Sequence, residues 1–131
     1  MRVALGVMMT CLTACAMPEQ QTPPPGPVTF GETTVLYLSD TLVQVIVPVE
    51  EGTPTVPQAR EVTDCAAAIS ANRKDFLFAR HVRTSLAEEA GIRNVDAVYT
   101  LSEAVPRGDF VIDVTVQADT CRELEVAETD G

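Results

Sequence analysis

The stretch Phe76-Leu77-Phe78-Ala79-Arg80-His81-Val82-Arg83-Thr84-Ser85-Leu86-Ala87-Glu88-Glu89-Ala90 decides the fold, because it reads two ways. It follows a helical pattern, so extension of that helix is one option. At 3.6 residues per turn, however, Phe78 and Val82 fall on the polar side, while Asn72 and Arg83 enter the apolar stripe. Read as a strand, Phe76, Phe78, Val82 and Leu86 share one face, and His81, Arg83 and Ser85 share the other. The strand is the preferred reading.

Working toward the N-terminus, Thr55 opens the preceding helix. Thr55 and Gln58 have the spacing of a capping box, in which each side chain satisfies a free backbone N–H. Ala59, Val62, Ala66, Ile69 and Phe76 follow at helical spacing, with Cys65 beside the stripe, and the helix is expected to end near Lys74 or Asp75. Before it, Thr34–Leu38 and Leu42–Val47 are rich in β-branched and apolar residues and suit strands. Ser39-Asp40 between them are turn formers. They predict a hairpin, or one strand broken by a bulge.

Toward the C-terminus, Glu88 to Gly91 reads as a turn. Val95, Ala97, Tyr99 and Leu101 then alternate with Asp96, Thr100 and Ser102. After a turn at Pro106-Arg107-Gly108, Phe110, Ile112, Val114 and Val116 alternate with Asp109, Asp113, Thr115 and Gln117, which predicts a last strand. Opposed residues of an antiparallel pair share a face. Pairing Leu86 with Val95 sets Val82 against Tyr99, and pairing Leu101 with Phe110 sets Tyr99 against Ile112. Both registers give one continuous apolar face, with the other face polar and wet. The expected class is therefore α+β: an antiparallel sheet with one covering helix, in the order β-β-α-β-β-β. A long helix, giving β-β-α-β-β, is the alternative.

The charge balance bounds the partners. The chain carries a net charge of −10 and lacks Trp. Nucleic acid is bound through Lys and Arg, so no nucleic-acid role is expected. High net charge also opposes self-association, which points to a monomer.

At the N-terminus, Arg2 precedes an apolar run from Val3 to Leu12, far short of the roughly 20 residues that span a bilayer. A charged start, a short apolar run and small residues describe a secretory signal. Leu12-Thr13-Ala14-Cys15 resembles the lipobox of bacterial lipoproteins. The resemblance implies cleavage between Ala14 and Cys15 and lipid on the Cys15 thiol, which would attach the protein to a membrane. Ala16 after the cysteine favours the outer membrane facing the periplasm, with the inner membrane as the other choice. The expected organisation is a signal peptide (1–14), a lipidated and Pro-rich tether (15–29), one α+β domain (30–122) and a frayed acidic tail (123–131). The tether's Pro18, Pro23, Pro24, Pro25 and Pro27 favour extended polyproline II.

Further residues carry a second resemblance. Tyr37-Leu38-Ser39-Asp40, Phe78-Ala79-Arg80-His81-Val82-Arg83-Thr84, Asp96-Ala97-Val98-Tyr99-Thr100 and Pro106-Arg107-Gly108 are similar to a group of short alphaproteobacterial lipoproteins. That likeness implies an envelope address and a single domain, and lends no catalytic residue.

Candidate sites are few. Cys65 and Cys121 remain once Cys11 and Cys15 are set aside, and an even pair in an exported protein suggests a disulfide. It would close a long loop, which the chain-entropy treatment values at about 4 kcal/mol. A strand parity that places Cys121 on the wet face counts against it. His81, the one histidine, is expected on the wet face beside Arg83, without a nucleophile or orienting acid in reach. Arg73, Arg80 and Arg83, with Lys74, form a basic cluster that suits an anion or partner patch, or else local pairing with Asp75, Asp96 and Asp113. No catalytic residue, cofactor or metal site is expected: the carboxylates lack calcium-loop spacing and zinc has too few ligands. The expected role is a non-catalytic, lipid-anchored accessory or interaction module that meets an envelope partner through the polar sheet face or an unpaired edge. The alternative is a small ligand-binding protein with a pocket lined by Phe76, Phe78 and Tyr99.

Overall fold

Three strands come first in the chain: β1 (Thr29–Phe30), β2 (Thr34–Tyr37) and β3 (Leu42–Glu51). Helix α1 (Val56–Arg73) follows, then β4 (Phe78–Glu89), β5 (Ile92–Ser102), β6 (Val111–Asp113) and a second helix, α2 (Val114–Thr129). The computed structural model describes residues 27–129. The six strands form one antiparallel sheet in the order β1-β3-β5-β4-β6, with β2 beside β1 on the same side of β3. The class is α+β, as the alternation predicts.

Local chemistry places α1. Thr55 is its N-cap: Gln58 N donates to Thr55 Oγ1 at 3.3 Å, and Thr55 N donates to Gln58 Oε1 at 2.9 Å. Both members of the capping box are therefore formed, and Pro57 sits where a missing N–H costs nothing. The helix ends at Arg73 with Lys74 as C-cap. Its buried stripe is Ala59, Thr63, Ala67 and Ala71, one helical step from the predicted stripe, with Val62 and Ala66 flanking it. Small residues on this face let the helix lie close against the sheet. There it meets Val43, Val45, Val47 and Val49 of β3 and Val95, Ala97, Tyr99 and Leu101 of β5. Alternation with period two delivers every one of these to the same side.

The deciding stretch is a strand. Its pairing with β5 sets Leu86 against Val95, as the hydrophobic pattern requires. Ala90 and Gly91, with φ of 51° and 79°, make the two-residue turn between β4 and β5. Positive φ at both central residues is what such a tight hairpin needs. The register then breaks at Val82, which has no partner: Arg83 faces Val98, and His81, not Val82, faces Tyr99. One bulged residue exchanges the faces of everything before it. His81 and Ala79 therefore point to the helix side, and Phe78 and Arg80 to the open side. The expectation of His81 on the wet face is corrected.

The last strand is also corrected. Only Val111–Asp113 is a strand, and it pairs with Phe78–Arg80 of β4 instead of with β5. A strand has two edges, and those of β5 are taken by β3 and β4. From Val114 the chain is helical. Val114, Ala118 and Cys121 are spaced to share one helical face and are buried there. Asp113 caps the start, accepting from Val116 N at 3.2 Å. The helix continues to Thr129, so residues 123–129 of the segment read as a frayed tail are helical backbone.

Candidate functional site

The bulge and helix α1 build a polar and aromatic seam along β4. Tyr99 is fully buried at the centre of the sheet. Its phenol oxygen lies 2.9 Å from Thr63 Oγ1 and 2.5 Å from Asp64 Oδ1. With one proton to give, it donates best to the charged acceptor. Burial first, then the bond to Asp64, push the phenol far above its ordinary range. Thr63 donates to the Ala59 carbonyl at 3.0 Å, so this polar residue is partnered within its own helix.

Arg60 stands one turn before Asp64 and reaches its Oδ2 at 3.6 Å. The Arg60 guanidinium also covers the Phe110 ring at 4.9 Å, while its Nε is buried without a hydrogen-bond partner. His81 packs edge-on against both Tyr99, at 5.4 Å, and Phe110, at 6.2 Å. Its Nε2 is 2.6 Å from Thr84 Oγ1, a contact made possible because the bulge brings residues 81 and 84 to one face. Burial, then nearby Arg60, lower the imidazole pKa, and Asp64 opposes them in part. Tyr99 and His81 thus spend their side-chain hydrogen bonds inside the seam, on Asp64 and Thr84.

The rim is different. Phe110 is 63 % exposed and has a φ of 60°, a backbone conformation that bulky residues rarely adopt. Its carbonyl accepts from His81 N at 3.2 Å, which closes the contact between the β6 end of the chain and β4. Beyond that bond, among the described residues, no strand pairs with the outer edge of β4 from Val82 to Glu89. Beside this edge runs a shallow apolar groove lined by Val56, Ala59, Thr84, Leu86 and Val95, with Pro54 at its end. Val56 is 74 % exposed and Leu86 51 % exposed. The edge offers unpaired backbone donors and acceptors, and the groove offers apolar contact.

The residues singled out from the sequence are distributed as follows. Cys65 and Cys121 are joined, with a Cα–Cα distance of 5.7 Å, and the bond links α1 to α2. The parity objection disappears because Cys121 lies on a helix. Gln117 lies over the bridge, its amide 3.5 Å from Cys121 Sγ. Arg80 and Arg83 share the open face of the sheet, while Arg73 lies at the end of α1 on the helix layer, so the three do not form one patch. Arg83 is 3.7 Å from Asp96, whose other oxygen accepts from Gln44 at 2.8 Å. Lys74 sits over the Tyr37 ring at 3.6 Å. Phe76 and Tyr99 pack in or against the core, whereas Phe78 is on the opposite face, so these three do not line a common pocket. Ala14 and Cys15 lie outside the described residues. Among the described residues no group of three metal-ligating side chains gathers, and no helix is long and apolar enough to cross a membrane.

Sequence reading missed Arg60, Thr63, Asp64 and Phe110. The four-residue spacing of Arg60 and Asp64 was a visible signal for a pair on one helix face. Nothing local announced that Phe110 would meet them.

These features define a small α+β domain: a curled antiparallel sheet covered on one face by α1, to which α2 is tied by the disulfide. Residues 30–125 match the family model described as the YNQ4 C-terminal domain, and the chain belongs to that family. No curated protein and no solved structure matches it.

Proposed function

We propose that this chain is a non-catalytic interaction module of the bacterial envelope, anchored by lipid on Cys15 and facing the periplasm from the outer membrane. The docking surface is the outer edge of β4 from Val82 to Glu89. The observation that carries this reading is that edge itself, which no other described strand pairs with, beside an apolar groove. An unpaired edge accepts a further strand through backbone hydrogen bonds, and adjoining apolar side chains give the contact its selectivity. The Leu12-Thr13-Ala14-Cys15 pattern supports the anchor. The disulfide suits an oxidising compartment. The seam supports a structural role for His81, which contacts Thr84 and two aromatic rings.

Two measurements test the reading. Cells producing the protein are fed a labelled fatty acid, and incorporation into the protein is expected, with loss in Cys15→Ser. Absence of label removes the anchor. In intact cells, a photo-crosslinking residue placed at Leu86 is expected to give a discrete protein adduct. The same residue at Leu36, on the far side of the sheet, gives far less. Equal labelling at both positions removes the docking surface.

A further inference from the structure

We infer that the open edge of β4 takes a second copy of this chain, paired antiparallel about a two-fold axis through Leu86. The inference rests on the docking reading above and names the occupant. It departs from the monomer that net charge alone suggests.

The argument is one of register. A two-fold axis perpendicular to the sheet keeps the helix side of one copy level with the helix side of the other. Paired residues must then share a face, so their separation along β4 is even or zero. Past the bulge, β4 is regular from Arg83 to Glu89, with unbroken pairing to β5 from Val98 to Ile92. Centring the pair on Leu86 uses this regular stretch from end to end. Arg83 then stands opposite Glu89 of the second copy, on the open face, and the same pair recurs by symmetry. Ser85 meets Ala87, Thr84 meets Glu88, and the two exposed Leu86 side chains meet on the axis over their apolar grooves.

The ends also fit. In this register the second copy's Ala90-Gly91 turn falls opposite Val82 and His81, where the edge becomes occupied by the Phe110 carbonyl. Gly91 adds no side chain there. Charges of opposite sign therefore face each other at both ends of the pair, although the whole chain carries −10. Like charges directly opposed would instead weaken it.

The test uses the full-length protein in intact cells, with the photo-crosslinking residue at Leu86. An adduct of twice the protein's mass, composed of this sequence alone, is expected. Arg83→Glu, or Glu89→Arg, should reduce it about tenfold. The double variant should restore it, a recovery that a folding defect at Arg83 beside Asp96 would not give. An adduct with a different protein overturns self-pairing and leaves the docking reading intact. No adduct of either kind overturns both. A self-adduct that is indifferent to both single variants overturns the register.

Discussion

The two sides of the sheet are built from different materials. Where β3 meets β5, Val43, Val45 and Val47 lie against Tyr99, Ala97 and Val95, and the pairing is regular throughout. Where β5 meets β4, one residue is bulged, and Thr63, Asp64, His81 and Tyr99 bond or pack together. The first side is held by area removed from water, which tolerates little polar intrusion. The second is held by specific partners, which a single deletion leaves unsatisfied. The lesson is that this fold stores its apolar stability on one side of β5 and its geometric specificity on the other.

Breaking the polar side at its covalent tie should have the largest effect. Replacing Cys65 and Cys121 by Ser is expected to cost about 2–5 kcal/mol, read from urea unfolding of the oxidised protein and the variant. On the apolar side, Val45→Ala should cost about 2 kcal/mol, through lost burial and an unfilled cavity. Tyr99→Phe removes the donor to Asp64 without changing the ring and should cost about 1–3 kcal/mol. If Val45→Ala and Tyr99→Phe together cost much more than their sum, the two sides are not separable.

Acid sharpens the contrast, because the valine layer does not titrate. Burial and Arg60 hold the His81 pKa below the ordinary imidazole value of 6.5. The unfolded chain therefore binds the proton more readily than the folded one. The contribution of His81 to stability is complete above about pH 6.5 and is lost as pH falls through the folded-state value. His81→Gln should flatten that part of the stability-against-pH curve, measured by thermal unfolding across pH 4–8. Smallest of all, Thr55→Ala should cost about 1 kcal/mol by removing the α1 cap, far from the seam.

What could be read from the chain divides along the same line. The valine alternation in β3 and β5, the Thr55–Gln58 cap and the pairing of Leu86 with Val95 are local or period-two signals, and each is visible in sequence. The bulge at Val82 is not, because Val82 satisfies the same alternation that the bulge interrupts. Its consequence was a reversed face for Phe78 through His81, and with it the site. The start of α2 was misread because Phe110 to Val116 alternates and is rich in β-branched residues. The competing signal, Val114, Ala118 and Cys121 behind an Asp113 cap, has helical spacing. It prevails from Val114 on because β4 begins at Phe78, so the pairing with β6 runs out at Asp113.

The cysteine bridge has a consequence for how the molecule completes itself. Among the described residues, helix α2 packs chiefly against α1, with a lesser contact to β6, and Cys121 is fastened to Cys65 in the body. Without that fastening, the sixteen residues of α2 would be a side arm, free to detach while the sheet stays whole. With it, detachment requires α1 to give way as well. Oxidation is therefore expected to merge the loss of α2 with that of α1 into one unfolding step, and the reduced protein is expected to lose α2 first when helix and sheet signals are followed separately.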